Sequence, residues 1–283
     1  MYGQLVIGAP GSGKSTYCSG MEQLLQQLGR PCVLVNLDPA NDFIPYKCDI
    51  DIRELITVND VMEFLKLGPN GALRYCMYTL EKNMGWLKQK LSRYEGYLLI
   101  DLPGQLELYN SDDCIPELIR AACLKILMEK WGHRLVAVHL SDSLYCTDAG
   151  KFIAVVLAAL CVMVNLELPH LNVLSKMDLL GEDSLPYDIG FFKQLPDLQR
   201  LADLLNVSIR CHIFQDNEVL AQYKKLNHSL CSVIGDYDLV SFVGLDATKK
   251  ESMMNVLKLA DTANGFALLE QGDLRGLVAS HSY

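Results

Sequence analysis

Short, almost uninterrupted apolar runs alternate along the chain with longer stretches in which apolar residues recur at helical spacing. Apolar runs of this length are typical of strands that are buried on both faces of a parallel sheet. Their alternation with helical segments predicts an α/β fold with a doubly wound, mostly parallel sheet. The predicted strands are Gln4–Ile7, Cys32–Val35, Gly96–Ile100, Leu135–Leu140, His170–Leu174 and Leu239–Val243.

Two long segments interrupt this alternation. The first extends from Ala40 to about Tyr94 and the second from Gly181 to Gly235. Both are too long for a plain crossover connection, and both contain helical patterns. No linker-like stretch divides the chain, so we predict one domain over residues 1–283 with helical insertions at about 40–94 and 181–235.

A narrow apolar stripe lies in the first insertion, within a helix predicted over Ala72–Leu91. Its members alternate steps of four and three residues, which is typical of one helix face. Packing against the chain's own domain is the more usual meaning of such a stripe, and a dimer seam is the alternative. The stripe consists of Leu73, Met77, Leu80, Met84, Leu87 and Leu91.

The first predicted strand leads directly into Gly8–Ser15, a loop with the pattern G-x-x-x-x-G-K-S, and a helical stretch follows. In this setting the pattern is that of a phosphate-binding loop. We expect Lys14 to reach the β- and γ-phosphates of a nucleoside triphosphate and the Ser15 hydroxyl to ligate Mg²⁺. The loop residues predicted to bind the nucleotide are Gly11, Ser12, Gly13, Lys14, Ser15 and Thr16.

The third predicted strand ends in a D-x-x-G pattern, Asp101–Gly104, which Gln105 follows. A carboxylate at Asp101 can hold Mg²⁺ through water, and the amide of Gly104 can approach the γ-phosphate. Glutamine is the residue type that orients the attacking water in GTP hydrolysis. The pattern is usually only a turn, but after a phosphate-binding loop it predicts a metal and water site.

The second predicted strand ends in Asn36-Leu37-Asp38-Pro39. An Asx turn before Pro39 is one interpretation of this carboxylate. The strand end favours another, in which Asp38 lies near Mg²⁺ or the attacking water, because ligands of open α/β sheets bind beyond the carboxyl ends of the strands.

The fifth predicted strand ends in Ser175-Lys176-Met177-Asp178, which matches [NST]-K-x-D. We expect Asp178 to be a buried carboxylate that accepts hydrogen bonds from guanine and is left unpaired by adenine. An unpaired buried group costs about 1–3 kcal/mol, which would discriminate between the two bases. The stem of Lys176 would pack along the base. The motif therefore predicts guanine-nucleotide binding by Ser175, Lys176 and Asp178.

Charge, hydropathy and cysteine spacing argue against several other classes of protein. The net charge is −9, without a basic block, so we expect no direct nucleic-acid partner. We expect no membrane span, because no charge-free apolar run is long enough, and no signal peptide, because the first predicted strand begins close to residue 1. The ten cysteines include no C-x-x-C pair, which favours free thiols in a reducing compartment over a disulfide or metal framework.

Taken together, these residues resemble the GPN-loop GTPases over nearly the whole chain. The resemblance also rests on Leu67–Leu73, which contains Gly68-Pro69-Asn70, and on Glu107 and Leu108 after the D-x-x-G motif. Several short sequence segments, such as Cys146-Thr147-Asp148, are most similar to those of the second eukaryotic paralogue group. The chain departs from the family at Leu102, where cysteine is usual, in a divergent segment at 182–217, and in a short C-terminal tail.

The resemblance implies roles that the spacing does not. The GPN loop, Gly68–Asn70, would cross a dimer interface and present Asn70 to the phosphate site of the partner. The implied catalytic residues are Asp38, Asn70, Asp101 and Gln105, and the implied Mg²⁺ ligands are Ser15, Asp38 and Asp101. The implied partners are a related GPN-loop GTPase subunit or a second copy, with RNA polymerase II subunits or assembly factors as clients and no membrane.

The resulting hypothesis is a dimeric, Mg²⁺-dependent GTPase with GTP/GDP and Mg²⁺ as cofactors, acting by resemblance in RNA polymerase II assembly and nuclear import. A cytoplasmic location is expected, with shuttling to the nucleus as a further option. One alternative is a nucleotide or polynucleotide kinase, although the second insertion offers only Arg200 and Arg210 for a second phosphoryl substrate. The other alternative is a non-catalytic scaffold that binds nucleotide.

Overall fold

The computed structural model contains one seven-stranded, entirely parallel sheet with helices on both faces, in the order β3-β2-β4-β1-β5-β6-β7. This confirms the predicted α/β fold. The residues described are 1–41, 43–105, 131–181, 185–195, 198–203, 218–237 and 239–270. The strands are β1 (Tyr2–Gly8), β2 (Cys32–Asn36), β3 (Ile50–Asp51), β4 (Tyr97–Asp101), β5 (Arg134–Asp142), β6 (His170–Ser175) and β7 (Phe242–Gly244).

The described helices follow the strands in alternation, except where the two long segments intervene. They are α1 (Lys14–Gln27), α2 (Val58–Leu65), α3 (Pro69–Lys82), α4 (Met84–Leu91), α5 (Ala149–Leu166), α6 (Ile189–Gln194), α7 (Glu218–Tyr237), α8 (Lys250–Asn264) and α9 (Ala267–Glu270). Helices α2 to α4 lie in the first segment, and α6 and α7 in the second. Much of the divergent segment 182–217 lies outside the described residues.

The sheet is buried on both faces, as the uninterrupted apolar runs predicted. Along β1, Leu5 and Ile7 belong to a core shared with α2, α3 and α4, whereas Val6 belongs to a core shared with α1 and α8. A third core joins α5, α6 and α7 to the far side of the sheet around Phe152. Side chains alternate between the two faces of a strand, so each strand is anchored from both sides.

The apolar stripe of the first insertion packs against its own domain. All six members are buried in the core that contains Leu5 and Ile7. The predicted single helix is two helices, because the backbone at Asn83 has φ −113° and ψ 28° and separates α3 from α4. The interpretation of the stripe as a dimer seam is therefore wrong.

Helix α5 is apolar along its whole length. Its 18 residues have a mean hydropathy of 2.2, which by length and composition alone would allow it to cross a membrane. Phe152 and Val156 of α5 are fully buried in the third core. A single helix of this kind is weak evidence for a membrane span, because core helices meet the same criteria.

The cysteines of the described residues are free thiols, as their spacing predicted. Burial raises the pKa of those that pack inside the domain, to about 12 at Cys146 and about 11 at Cys76. Cys161, on α5, is exposed. The described free thiols are Cys18, Cys32, Cys48, Cys76, Cys146, Cys161 and Cys231.

Candidate nucleotide-binding site

The parallel register brings the predicted motifs to one edge of the sheet. Val6, two residues before the end of β1, pairs with Asp101 at the end of β4, and Asn36 at the end of β2 also pairs with Asp101. On the other side, Asp142 at the end of β5 pairs with Ser175 at the end of β6. All of these ends face one crevice, which is where open α/β sheets bind ligands.

The phosphate-binding loop has the geometry that its sequence predicted. Gly11 and Gly13 have φ values of 78° and 91°, a left-handed conformation that favours glycine. Helix α1 begins at Lys14, and no side chain caps its N-terminus. Its first N–H groups and the positive end of the helix dipole are therefore free to bind an anion.

Lys14 lies against the loop that carries it. Its Nζ donates to the carbonyl oxygens of Gly8 (3.1 Å) and Ala9 (3.2 Å). Burial lowers the pKa of Lys14, and the nearby carboxylates of Asp101 and Asp38 oppose that shift. Gly104 borders the same ammonium group, since a Cβ there would stand 2.7 Å from Nζ. The same Cβ would stand 3.0 Å from the backbone nitrogen of Pro10, so a larger residue here would crowd both the loop and the ammonium group.

Asp101 is the centre of the predicted metal site and is 1% exposed. Its Oδ2 accepts hydrogen bonds from the Ser15 hydroxyl (2.9 Å) and the Tyr46 phenol (2.9 Å). Its Oδ1 is buried and has no hydrogen-bond partner. Burial raises the pKa of Asp101, while the two hydroxyl donors and Lys14 lower it. An unpartnered buried carboxylate oxygen beside a serine hydroxyl fits Mg²⁺ and its bound water.

Asp38 makes the Asx turn that its sequence predicted and also lies near the phosphate-binding loop. Its Oδ1 accepts from the amide of Ala40 (2.9 Å), which makes the predicted turn, and its own amide donates to Asn36 Oδ1 (3.1 Å). Burial raises the pKa of Asp38, and the charge of Lys14 counteracts this. Asp38 thus lies close enough to Lys14 to share the phosphate site. Its role as a metal ligand stays a prediction.

The described residues contain no group of three His, Cys, Asp or Glu side chains that could hold a metal ion by themselves. Mg²⁺ in nucleotide sites is held by one or two carboxylates together with phosphate oxygens, so the predicted ligands Ser15, Asp38 and Asp101 would be a sufficient protein contribution. Gln105 lies near the same crevice with its Oε1 buried and unpartnered. Glu107 and Leu108, part of the family pattern, lie outside the described residues.

The predicted guanine motif is hydrogen-bonded to the phosphate-binding loop. The buried Ser175 hydroxyl lies 2.7 Å from the carbonyl oxygen of Ser12 and 3.2 Å from that of Ser141. The ammonium of Lys176 forms a 2.6 Å ion pair with Asp142. Ser175 therefore holds the two loops together rather than pointing into the crevice, and Asp142 fixes the end of the Lys176 side chain.

Asp178 is exposed, contrary to the expected buried carboxylate, because it lies on a 3₁₀ turn (Met177–Leu179) beyond the end of β6. The loop after β7 runs beside this turn, with the Met177 amide donating to the Leu245 carbonyl (3.1 Å). Lys249 pairs with Asp246 (2.9 Å), and its pKa is raised mainly by Asp246 and further by Asp178. A bound base would have to supply the burial at Asp178.

A cavity of about 520 Å³ opens beside the phosphate-binding loop, on the α5 side of the sheet. Its walls include Lys151 of α5, Lys176 and His139 of β5. Burial lowers the pKa of His139 to about 4, and its Nδ1 lies 3.3 Å from Asn172 Oδ1. His139 is therefore neutral near pH 7 and contributes no positive charge to the cavity.

The GPN loop stands apart from these groups. Gly68 is the N-cap of α3 and makes no side-chain cap, Pro69 is the first helical residue, and Asn70 is exposed. Asn70 is the second residue of the helix and does not cap it. Within the described residues, no hydrogen bond or ion pair joins Asn70 to the phosphate-binding loop of its own chain.

Sequence patterns missed four polar residues that shape the site. Tyr46 and Asn41 lie in the β2–β3 connection, where Asn41 Nδ2 donates to the Ser15 hydroxyl (3.2 Å). Asn36 braces the Asp38 turn, and Asp142 holds Lys176. The only sequence signal was position: Asn36 and Asp142 end predicted strands, whereas nothing distinguishes Tyr46 or Asn41 from other loop residues.

A family model described as "Conserved hypothetical ATP binding protein" matches residues 6–266. GPN-loop GTPase 2 of Danio rerio is 45% identical over 99% of this chain and 86% of that protein. GPN-loop GTPase QQT1 of Arabidopsis thaliana is 45% identical over 94% and 86%. GPN-loop GTPase 2 of Schizosaccharomyces pombe is 41% identical over 93% and 80%. These names confirm the likeness to the second paralogue group.

Among solved structures, an apo-form GTPase from Pyrococcus abyssi superposes with a TM-score of 0.69, covering 93% of this chain and 97% of that one at 24% sequence identity. At this identity the likeness shows the fold. The phosphate-binding loop, the Asp101 site and the guanine motif occupy one edge of that fold, and the sequence relatives extend along almost the whole chain. The chain belongs to the GPN-loop GTPase family.

Proposed function

We propose that this GPN-loop GTPase hydrolyses GTP with Mg²⁺, as a dimer in which Asn70 of each subunit serves the phosphate site of the other. The observation that carries the Mg²⁺ part is the Asp101 carboxylate, one oxygen of which is held by Ser15 and Tyr46 while the other is buried and free. When bound, Mg²⁺ would neutralise charge that develops on the phosphate oxygens.

The chain's own residues supply the remaining steps of the proposed mechanism. Lys14 exchanges its two loop carbonyls for phosphate oxygens, and the uncapped N-terminus of α1 binds the same anion. Asp101 and Ser15 would hold the metal from the protein side. The Gln105 amide orients the attacking water without acting as a base, which requires only that its free Oε1 reach that water.

Guanine specificity is proposed from Lys176 and Asp178, with Ser175 holding their loop against the phosphate-binding loop, although the matching family model is described as ATP binding. Asp178 and the loop after β7 lie side by side, so a base between them would meet a carboxylate that matches guanine donors and not adenine. Competition of ATP and GTP for binding of a fluorescent GTP analogue tests this. Equal affinity for both nucleotides would overturn the assignment.

Hydrolysis is tested by single-turnover assays with a Mg²⁺ titration, on the wild type and on Gln105→Ala. We expect Mg²⁺ to be required and Gln105→Ala to bind GTP normally but turn it over more slowly. No hydrolysis by the wild-type dimer would favour the scaffold alternative. Phosphate release that depends on an added phosphoryl acceptor would favour the kinase alternative.

Dimerisation is supported by an exposed apolar surface beside the GPN loop. Phe64 at the end of α2 is 81% exposed, and Leu67, Tyr75 and Tyr78 are also exposed. Large exposed apolar side chains on two helices that contact each other favour an interaction site there. Mass measurement with GDP and with a non-hydrolysable GTP analogue, on the chain alone and with a related GPN-loop subunit, distinguishes monomer, homodimer and heterodimer.

The proposed role in RNA polymerase II assembly and nuclear import rests on the family resemblance. A nucleotide-dependent dimer is suited to such a role, because the GTP state can bias two arrangements of its subunits. The test is binding of purified polymerase subunits in the GDP and GTP-analogue states. A cytoplasmic location with nuclear shuttling is proposed on the same ground, and imaging of the tagged protein with nuclear export blocked would test it.

A further inference from the structure

Tyr46 reaches the predicted metal site from a distant part of the chain. It lies in the connection between β2 and β3, and its phenol donates to Asp101 Oδ2 at 2.9 Å across 55 residues of sequence. The ring is 8% exposed and packs in the core that contains Tyr17 and Leu34. Packing of the ring in this core therefore holds the hydroxyl within hydrogen-bond distance of Asp101.

The two oxygens of Asp101 have different surroundings. Oδ2 accepts from both Ser15 and Tyr46, whereas Oδ1 is buried without a partner. A carboxylate held by one rotatable serine hydroxyl can turn about its side-chain bond. A second donor on the same oxygen, rigidly held, fixes the carboxylate plane and leaves Oδ1 as the oxygen available to a metal-bound water.

We propose that Tyr46 is a positioning residue of the Mg²⁺ site, which holds Asp101 so that Oδ1 faces the metal. The inference rests on the proposed Mg²⁺-dependent function. It assigns Tyr46 no contact with nucleotide or metal. Its effect passes through Asp101 alone, so losing the phenol should weaken Mg²⁺ binding and leave metal-free nucleotide binding unchanged.

The variant Tyr46→Phe keeps the packed ring and removes only the donor. Tyr94→Phe is the matched control, because the Tyr94 phenol also donates into the β2–β3 connection but to the Asp49 carbonyl oxygen (3.3 Å). Release of a fluorescent, non-hydrolysable GTP analogue is measured from excess EDTA to millimolar Mg²⁺. Melting temperatures of all three proteins establish that they are folded.

For Tyr46→Phe, we expect the Mg²⁺ concentration that half-maximally slows release to rise about fivefold, the effect of losing one hydrogen bond. Release in EDTA should stay within about twofold of the wild type, and Tyr94→Phe should follow the wild type throughout. In an Asp101→Asn background, Tyr46→Phe should cause no further shift. A Tyr46→Phe curve that superposes on the wild type would overturn the inference, as would an equal acceleration with and without Mg²⁺. A wild type insensitive to Mg²⁺ would instead overturn the proposed function.

Discussion

The phosphate-binding region and the GPN loop are built in opposite ways. Around Asp101 the chain's own groups position the site: Ser15 and Tyr46 donate to Oδ2 of the buried Asp101, and Lys14 donates to two loop carbonyl oxygens, while Asp101 Oδ1 is left without a partner. Gly68–Asn70 is exposed, and in the described part of the chain no hydrogen bond or ion pair joins Asn70 to the phosphate site of its own subunit. One region is preorganised for a ligand by its own domain. The other has the exposure expected of a group whose counterpart is on another molecule.

This difference separates what a single chain can do from what needs a partner. Under the proposed mechanism, binding of the nucleotide should depend on residues of one subunit and be insensitive to the GPN loop. The rate of GTP hydrolysis should depend on both the phosphate-binding region and the GPN loop. Variants in the two regions should therefore divide into those that change affinity and those that change rate.

The largest effect is expected from Lys14→Ala in the preorganised region. The variant removes the cation that meets the phosphates, so GTP affinity should fall by at least about a hundredfold, the value of a buried charge-assisted contact. Titration calorimetry measures the affinity, and circular dichroism establishes that the fold is intact. Affinity within about threefold of the wild type would mean that the loop does not bind phosphate.

Asp178→Asn tests the exposed end of the same region. Both guanine donors lose a charged acceptor, so GTP binding should weaken by about 2 kcal/mol or more, and xanthosine triphosphate should be better tolerated. Competition binding measures the affinities of the wild type and the variant for GTP and for xanthosine triphosphate, and the ratio of the two should shift towards xanthosine triphosphate in the variant. A parallel loss for both would show that Asp178 does not select the base.

Asn70→Ala tests the GPN loop. We expect single-turnover hydrolysis to slow by about tenfold while GTP affinity stays unchanged, since a donor needed in the transition state does not contribute to ground-state binding. Because Gly68 and not Asn70 is the N-cap, the melting temperature should not fall. In a mixed dimer, the rate should recover only at the site that faces an intact loop.

Arg74→Ala is the control for Asn70→Ala, because Arg74 is exposed on the same helix four residues further on. It should leave both rate and affinity unchanged. If Asn70→Ala hydrolyses GTP at the wild-type rate per folded molecule, the contrast between the two regions disappears, and the GPN loop is only a helix start.

The smallest effect concerns acid stability of the buried region. The pKa of His139 is about 4 in the fold and near 6.5 when unfolded, so the unfolded chain takes up a proton that the native chain does not. The contribution of neutral His139 to the free energy of unfolding is therefore fully present above about pH 6.5, and it is lost as the pH falls towards 4. Between about pH 7.5 and 5.5 the wild type should lose about 1 kcal/mol more than His139→Gln in urea unfolding. Equal losses would contradict the burial of His139.

Much of this molecule follows from its sequence because its strands are buried and its chemistry is local. Four of the six predicted strands lie inside observed ones, and the predicted Gly96–Ile100 is displaced by one residue from the observed Tyr97–Asp101. The sixth begins three residues later than predicted, at Phe242. Strand β3 was missed because two residues cannot show a period. The phosphate-binding loop was predictable because G-x-x-x-x-G-K-S encodes its own backbone geometry.

The rest could not be predicted because it depends on packing between distant segments. The phenol of Tyr46 meets Asp101 only once β2 and β4 are adjacent, and a lone tyrosine in a connection carries no sign of that. The apolar stripe from Leu73 to Leu91 has the same period whether it faces a sheet or another subunit. Burial in the chain's own core decided between these interpretations.

The reactivity of the buried thiols can be used to follow unfolding of the domain. At a pKa of about 12, Cys146 has a thiolate population about a thousandfold below that of an unperturbed cysteine, and thiolate is the form that alkylating reagents attack. Cys18 and Cys76 are protected by burial in the same way. Alkylation counted by mass should therefore rise from the exposed Cys161 to the buried cysteines as the domain opens, and nucleotide that stabilises the domain should delay that rise without any added label.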